Sequence, residues 1–304
     1  MNRPMRPLVA VDWGTSTLRG ALLDESGEVR ETRQFPRGIM TVATGEFTSV
    51  FNDCFGDWMH TPGVLCLISG MAGSRQGWQE APYCPCPAGF AELSQHLHWI
   101  EPDRIALVPG LSWTDAGSHG IPDVMRGEEI QIFGVLQSTG RDSATFVLPG
   151  THSKWATVQN HQVTQFQTYM TGELYALLSQ HSILAKTMDL DSAFESDAFL
   201  QGIEQSQTTG SVLHHLFAVR TLGLFAHLPT NALPSYLSGL LIGEELRAQC
   251  TSDPVGPVIL MGSDALISRY ALGLRHLHID CETWGAQATW SGLFALAYTW
   301  TRTT

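Results

Sequence analysis

Short apolar runs ending in Gly or Pro alternate with stretches of helical apolar spacing along the chain. Residues 8–12 and 20–24 predict two buried strands of a hairpin. Residues 46–60 have helix-like spacing, and VLCLISG at 64–70 is a continuous apolar run that suits a central strand. IALVPGL at 105–111 predicts one more strand, and 124–137 a helix whose apolar positions include Ile130, Phe133, Val135 and Leu136. Residues 139–143 read as a turn, which divides a 1–139 domain from a 140–304 domain. The second half predicts helices over 172–186, 211–227 and 235–250, and a strand, Gly turn and helix over 257–274. A short strand at 276–280 follows, then a closing helix at 288–300 that is placed back toward the first domain. Strands alternating with helices in both halves give an α/β fold class.

One local pattern occurs twice. VAVDWGTSTLRGALLD at 9–24 and TFVLPGTHSKWATVQ at 145–159 each run strand, Gly-Thr turn, strand, with a basic residue shortly after the turn. Gly14 and Gly150 are separated by close to half the chain. A small hydroxyl-rich turn brings backbone N–H groups and Thr or Ser hydroxyls close to phosphate oxygens. Asp12 before Gly14, Thr15, Ser16 and Thr17 adds the carboxylate that a Mg²⁺–nucleotide site needs. The second turn has no Asp there. It offers Gly150, Thr151 and Ser153 to phosphate, and Lys154 as positive charge where phosphoryl charge develops. The chain contains neither a P-loop pattern nor a G-x-G-x-x-G pattern.

Three further segments can carry chemistry. Residues 70–89, GMAGSRQGWQEAPYCPCPAG, form a long Gly- and Pro-rich loop whose Arg75, Trp78 and Tyr83 indicate order and function. Arg75 suits a substrate carboxylate, since guanidinium and carboxylate pair bidentately, and Arg126 is a second candidate. Trp78 either walls off water or packs in the core. Asp123 precedes the predicted 124–137 helix, where it serves as an N-cap or as the base for an attacking hydroxyl. Glu128 and Glu129 are its rivals, ordinarily solvated on a helix surface. Gly262, between a strand and a helix, allows close approach of a ligand.

Composition narrows the partners. Hydrophobic content of 43% supports a substantial core, and a formal charge of −12 argues against a nucleic-acid surface. No signal-peptide pattern and no run of about 18 apolar residues is present, which predicts a cytoplasmic chain without a membrane partner. The six cysteines form no CxxC pair and the histidines no HExxH spacing, so neither predicts a metal centre. A homodimer is left open.

VDWGTSTLRGALLD, SGMAGSRQGWQEAPYCPCPAG, DVMRGEEIQIFG, LPGTHSKWATV, LFAVRTLGL and SYLSGLLIGEE together resemble the 2-dehydro-3-deoxygalactonokinases. These are sugar-acid kinases of the actin-like and hexokinase-like ATPase superfamily. The two phosphate loops point only to the superfamily; GSRQGW with APYCPCPA, and PGTHSKW, are narrower. The resemblance implies two ribonuclease-H-like lobes with ATP in the cleft between them. It places Asp12, Gly14, Thr15 and Ser16 in the first phosphate loop, and Gly150, Thr151, His152 and Ser153 in the second. Gly262 then lies by the adenosine, and the loop holding Arg75, Gln76 and Trp78 covers the sugar acid. Asp123 matches the catalytic Asp that hexokinase-like members carry at a helix head, and Mg²⁺ falls to Asp12 alone. The implied reaction moves the ATP γ-phosphoryl group to the C6 hydroxyl of 2-dehydro-3-deoxy-D-galactonate, in galactonate catabolism. Alternatives are a kinase for another sugar or sugar acid, and a non-catalytic actin-like nucleotide switch.

Overall fold

The computed structural model describes residues 5–115, 120–250, 256–285 and 288–303. The chain forms two compact units. The first comprises Met1–Ser143, Thr157–Phe166 and Ala286–Thr304, and the second Ala144–Ala156 and Gln167–Gly285.

The first unit begins with β1 (Leu8–Trp13), β2 (Leu18–Leu23) and β3 (Val29–Phe35), an antiparallel meander. α1 (Phe47–Phe55) and β4 (Leu65–Gly70) follow. Next come β5 (Tyr83–Pro85), α2 (Phe90–Gln95), β6 (His98–Glu101) and β7 (Ile105–Leu107). Finally come β8 (Gly110–Thr114), β9 (Pro122–Met125) and α3 (Glu128–Thr139). The main sheet runs β3-β2-β1-β4-β7-β6, with β1, β4 and β7 parallel; β5-β8-β9 form a separate small sheet.

β4 is buried along its whole length, as a parallel strand covered on both faces must be. Phe47, Phe51 and Phe55 recur every fourth residue, so α1 turns one aromatic stripe into the core. Trp13 and Trp78 complete that core: their rings meet edge-on at 6.0 Å, and Trp78 lies 5.4 Å from Phe51.

The second unit opens with β10 (Ala144–Leu148), β11 (Ser153–Gln159) and β12 (Gln162–Tyr169), except that Thr157–Phe166, part of the β11–β12 hairpin, belongs to the first. The β11–β12 turn is Asn160–His161 with φ of 51° and 62°, the left-handed pair that closes a two-residue hairpin. α4 (Thr171–His181), α5 (Ser196–Gln207), α6 (Val212–Leu224) and α7 (Leu233–Gln249) come next. β13 (Val258–Met261), α8 (Asp264–His276) and β14 (Cys281–Trp284) end this unit. α9 (Ala288–Thr303) returns to the first.

The second sheet runs β12-β11-β10-β13-β14, with β10, β13 and β14 parallel. The first sheet, without its added β6, has this same order: third, second and first strands, then two parallel ones. The repeated Gly-Thr turn therefore marks a repeated topology. In each unit it joins the first two strands.

Three sequence expectations shift. The apolar run 105–111 divides into β7 and β8, because Pro109 cannot donate a ladder hydrogen bond. The strand expected at 276–280 lies at Cys281–Trp284, since α8 extends to His276. Asp123 does not head a helix. It lies in β9 opposite Trp113, and α3 starts only after Gly127. Gly127 has φ of 106°, a conformation that side chains other than Gly resist, so the chain turns from strand to helix there. Among the described residues, no helix is long and apolar enough to cross a membrane.

Candidate active site

Asp12 lies at the C-terminal end of β1, next to β4 in parallel register. Its Oδ2 accepts from Arg19 Nε at 2.8 Å and pairs with Arg19 Nη2 at 2.7 Å. Arg19 also donates to Thr289 Oγ1 at 3.3 Å. Among the described residues Asp12 Oδ1 has no hydrogen-bond partner. That oxygen fits Mg²⁺, which takes one or two carboxylates and fills its octahedron with water and phosphate. Among the described residues no group of three or more His, Cys, Asp or Glu forms an all-protein metal cage.

The turn after Asp12 presents Thr15, Ser16 and Thr17 to solvent. Gly14 N–H closes it onto Thr17 O at 2.9 Å. Its carbonyls are held from behind: Gly38 N–H donates to Ser16 O, Ile39 N–H to Gly14 O and Met40 N–H to Thr15 O. Only Gly fits at 38, since a Cβ there would lie 2.3 Å from Thr15 O. The hydroxyls face outward while the backbone is fixed, as a phosphate cradle requires.

Arg75, Gln76 and Trp78 border one cavity of about 390 Å³ in the first unit, opposite Val42, Phe47 and Thr48. Its size falls within the range of small-molecule sites. Arg75 is exposed and pairs with Glu80 at 3.2 Å. Trp78 serves two purposes, with one part in the aromatic core and another on the cavity wall. Arg126 does not border this cavity. It is buried beneath the loop, donates from Nη2 to Ala81 O at 2.8 Å, and stacks 4.4 Å from the Tyr83 ring.

The carboxylates at the α3 head are Glu128 and Glu129. Glu128 Oε2 accepts from Arg126 N–H at 3.0 Å, and Glu129 Oε2 from Gly127 N–H at 2.7 Å. Glu128 is half-buried. Glu129 is fully buried, and burial, helped by the Glu128 charge, pushes its carboxyl up to about 8. The expectation that both are solvated fails for Glu129. Asp123, out in β9, accepts the N–H of its own neighbour Val124 at 2.7 Å.

In the second unit, the turn at Gly150–His152 connects β10 to β11. Thr151 and His152 are exposed, and His152 Nε2 meets Glu173 Oε2 at 2.5 Å. Gly172, in the first turn of α4, abuts the turn so closely that a Cβ would lie 2.3 Å from Gly150 O. Gly262 packs on the other side, 3.3 Å from Pro149 O by the same measure. Ser263 follows as the α8 N-cap residue.

Ser153 and Lys154 do not face outward with this turn. Alternation along β11 sends them to opposite faces. Ser153 Oγ donates to Glu245 Oε1 at 2.7 Å, and Lys154 Nζ, also buried, donates to Thr168 Oγ1 at 2.8 Å. Glu245 is a buried acceptor that sequence inspection missed. It also takes Trp155 Nε1 at 2.7 Å, Tyr270 OH at 2.7 Å and Thr171 Oγ1. Burial pushes its carboxyl up, against the pull of these donors. Its sequence signal is slight, since it is the second of two adjacent glutamates, Glu244 and Glu245, that follow the apolar part of α7.

A sequence model of the 2-keto-3-deoxy-galactonokinase family matches residues 12–296. The chain belongs to that family. Its members include an Escherichia coli (strain K12) 2-dehydro-3-deoxygalactonokinase, 34% identical over 277 residues and 90% of each chain. A Rhizobium meliloti (strain 1021) protein named as a probable 2-dehydro-3-deoxygalactonokinase is 35% identical over 295 residues and 95% of each chain. The crystal structure of a Sinorhizobium meliloti protein named for the same activity superposes with a TM-score of 0.87 at 33% identity. That match covers 96% of this chain and 98% of the other. Family membership makes the chain an enzyme, a kinase. The family match spans both Gly-Thr turns, the 70–89 loop and the α3 head.

Proposed function

We propose that this kinase transfers the γ-phosphoryl group of ATP to the C6 hydroxyl of 2-dehydro-3-deoxy-D-galactonate. The observation that carries this reading is the near full-length likeness to proteins named for that substrate. In it, the two units are the lobes of an actin-like ATPase fold. The turns at Gly14–Thr17 and at Gly150–His152 each serve nucleotide phosphate, and Gly262 serves the adenosine side. Mg²⁺, held through Asp12 Oδ1, supplies charge neutralisation at the phosphate oxygens.

The repeated topology and the exposed hydroxyls of Thr15, Ser16 and Thr17 support the nucleotide assignment. The cavity beside Arg75, Gln76 and Trp78 supports an acceptor of sugar size. The base assignment moves. The sequence places Asp123 at a helix head, but Glu128 is the half-buried carboxylate that stands there. In this proposal Glu128 orients the C6 hydroxyl and takes its proton. Lys154, bound to Thr168, contributes its charge from within the sheet. Ser153 holds the second turn through Glu245 without touching phosphate.

Product analysis tests the site of transfer. With ATP and 2-dehydro-3-deoxygalactonate, phosphorus–proton NMR coupling is expected to place the ester on C6. A phosphate ester at another carbon, or none, contradicts the proposal.

A further inference from the structure

Buried polar atoms in native proteins nearly all have hydrogen-bond partners, so the exceptions need a cause. Among the described residues five buried side-chain atoms have none. Four of them belong to three residues: Ser74 Oγ, Arg126 Nε, Arg126 Nη1 and Glu129 Oε1. Arg126 is 9% exposed and Glu129 0%.

These residues come from two segments that touch twice. A Cβ on Gly127 would lie 3.2 Å from Gly70 Cα, and one on Gly73 would lie 2.8 Å from Arg126 Nη1. Gly70 is in turn 3.1 Å, by the same measure, from Asp12 Oδ1. The unpartnered atoms thus belong to the contact between the β4 end and the α3 head, in the same neighbourhood as the Asp12 carboxylate.

We propose that Ser74, Arg126 and Glu129 form the subsite for the carboxylate and adjacent oxo group of a 2-oxo acid. The assignment rests on the kinase reading above and identifies which arginine takes the acid. Arg75 is exposed and already paired with Glu80, the condition of an ordinary surface arginine. Arg126 carries two N–H groups out of water with nothing to accept them, a cost that a bound anion removes. Ser74 adds a hydroxyl donor. Glu129 retains its proton at neutral pH through burial, so its carboxyl donates to an oxo oxygen rather than repelling the anion. A 2-oxo acid supplies acceptors alone at this end. An aldonate or hexose presents a hydroxyl in place of the oxo group, and so matches the three donors less well.

Ser74→Ala and Glu129→Gln test this directly, because both preserve the Arg126 bond to Ala81 that braces the loop. Three quantities are read for each: the thermal midpoint without ligand, KM for 2-dehydro-3-deoxygalactonate, and KM for ATP. The expected result is a rise in KM for the acid of about tenfold or more in Ser74→Ala, the worth of one hydrogen bond to a charged group. In Glu129→Gln a KM close to wild type is expected, because the amide keeps a neutral donor where the protonated carboxyl stood. KM for ATP stays within about twofold, since no nucleotide contact is removed. The midpoint without ligand does not fall, because Ser74→Ala deletes an unsatisfied hydroxyl and Glu129→Gln keeps an oxygen that can accept from Gly127 N–H. A lowered midpoint with an unchanged acid KM in Ser74→Ala overturns the subsite and makes the cluster structural. Wild-type turnover of the acid with unchanged KM in Ser74→Ala, or a rise of about tenfold in Glu129→Gln, overturns the subsite alone. Absence of wild-type turnover overturns it together with the function on which it rests.

Discussion

Ser153 Oγ donates to Glu245 Oε1 at 2.7 Å, and both groups are buried. The second Gly-Thr turn is therefore anchored from beneath, through the first residue of β11. Thr171 at the α4 start and Tyr270 in α8 converge on the other oxygen of the same carboxylate. One glutamate ties together the turn and the two helices.

Glu245→Gln places an NH2 among four donors. Loss of about 1–3 kcal/mol in unfolding free energy is expected, with KM for ATP raised. Ser153→Ala should cost less, about 1 kcal/mol, and leave KM for ATP nearly unchanged. Denaturant unfolding and ATP titration of both variants check this. A large ATP defect in Ser153→Ala would restore that hydroxyl to the phosphate site.

Each turn leans on a glycine, Gly38 in the first unit and Gly172 in the second. Gly38→Ala and Gly172→Ala each force a methyl to 2.3 Å from a turn carbonyl oxygen. Overpacking of this kind costs about 1–3 kcal/mol and displaces the turn. Nucleotide affinity is expected to fall in both variants, as read by calorimetry. Wild-type affinity would mean that neither turn position matters to ATP.

Much of this arrangement was legible in the sequence. The hairpins at Gly14 and Gly150 follow from apolar strands broken by Gly-Thr, and VLCLISG reads as the central strand it is. The α3 start is not legible, because Asp123 is a good N-cap by residue type and the structure begins the helix after Gly127. Residues 122–125 form a strand paired with the neighbouring β8, and Gly127 with its positive φ separates that strand from α3; helical spacing read over 124–137 does not show this pairing. Glu245 and Lys154 were illegible for a similar reason. Their roles come from partners on other elements, and local spacing gives no view of those.

The corrected helix start changes the base prediction. Glu128→Gln is expected to lower kcat by about 10²–10⁴, the usual share of general-base catalysis. Asp123→Asn should retain activity within about tenfold. Steady-state kinetics with saturating ATP separates them, and the reverse ranking returns the role to Asp123.

Glu129 gives the protein a pH signature. Its folded value, up to about 8, lies above its ordinary 4.5. The folded state thus keeps a proton that the unfolded state loses. The associated stability is complete below pH 4.5 and declines as pH rises toward about 8. The slope approaches about 1.4 kcal/mol per pH unit within that window. Glu129→Gln should remove this part of the slope. Parallel stability–pH curves for wild type and variant would contradict the burial argument.

The central claim is phosphoryl transfer from ATP to a 2-oxo sugar acid. Initial rates of ADP release, coupled to a reporter enzyme, measure it across 2-dehydro-3-deoxygalactonate, related 2-oxo-3-deoxy acids, galactonate and hexoses. The account predicts that 2-dehydro-3-deoxygalactonate has the highest kcat/KM, with galactonate and hexoses at least about tenfold lower. Equal rates with a hexose, or slow ADP release that no sugar acid stimulates, would contradict it.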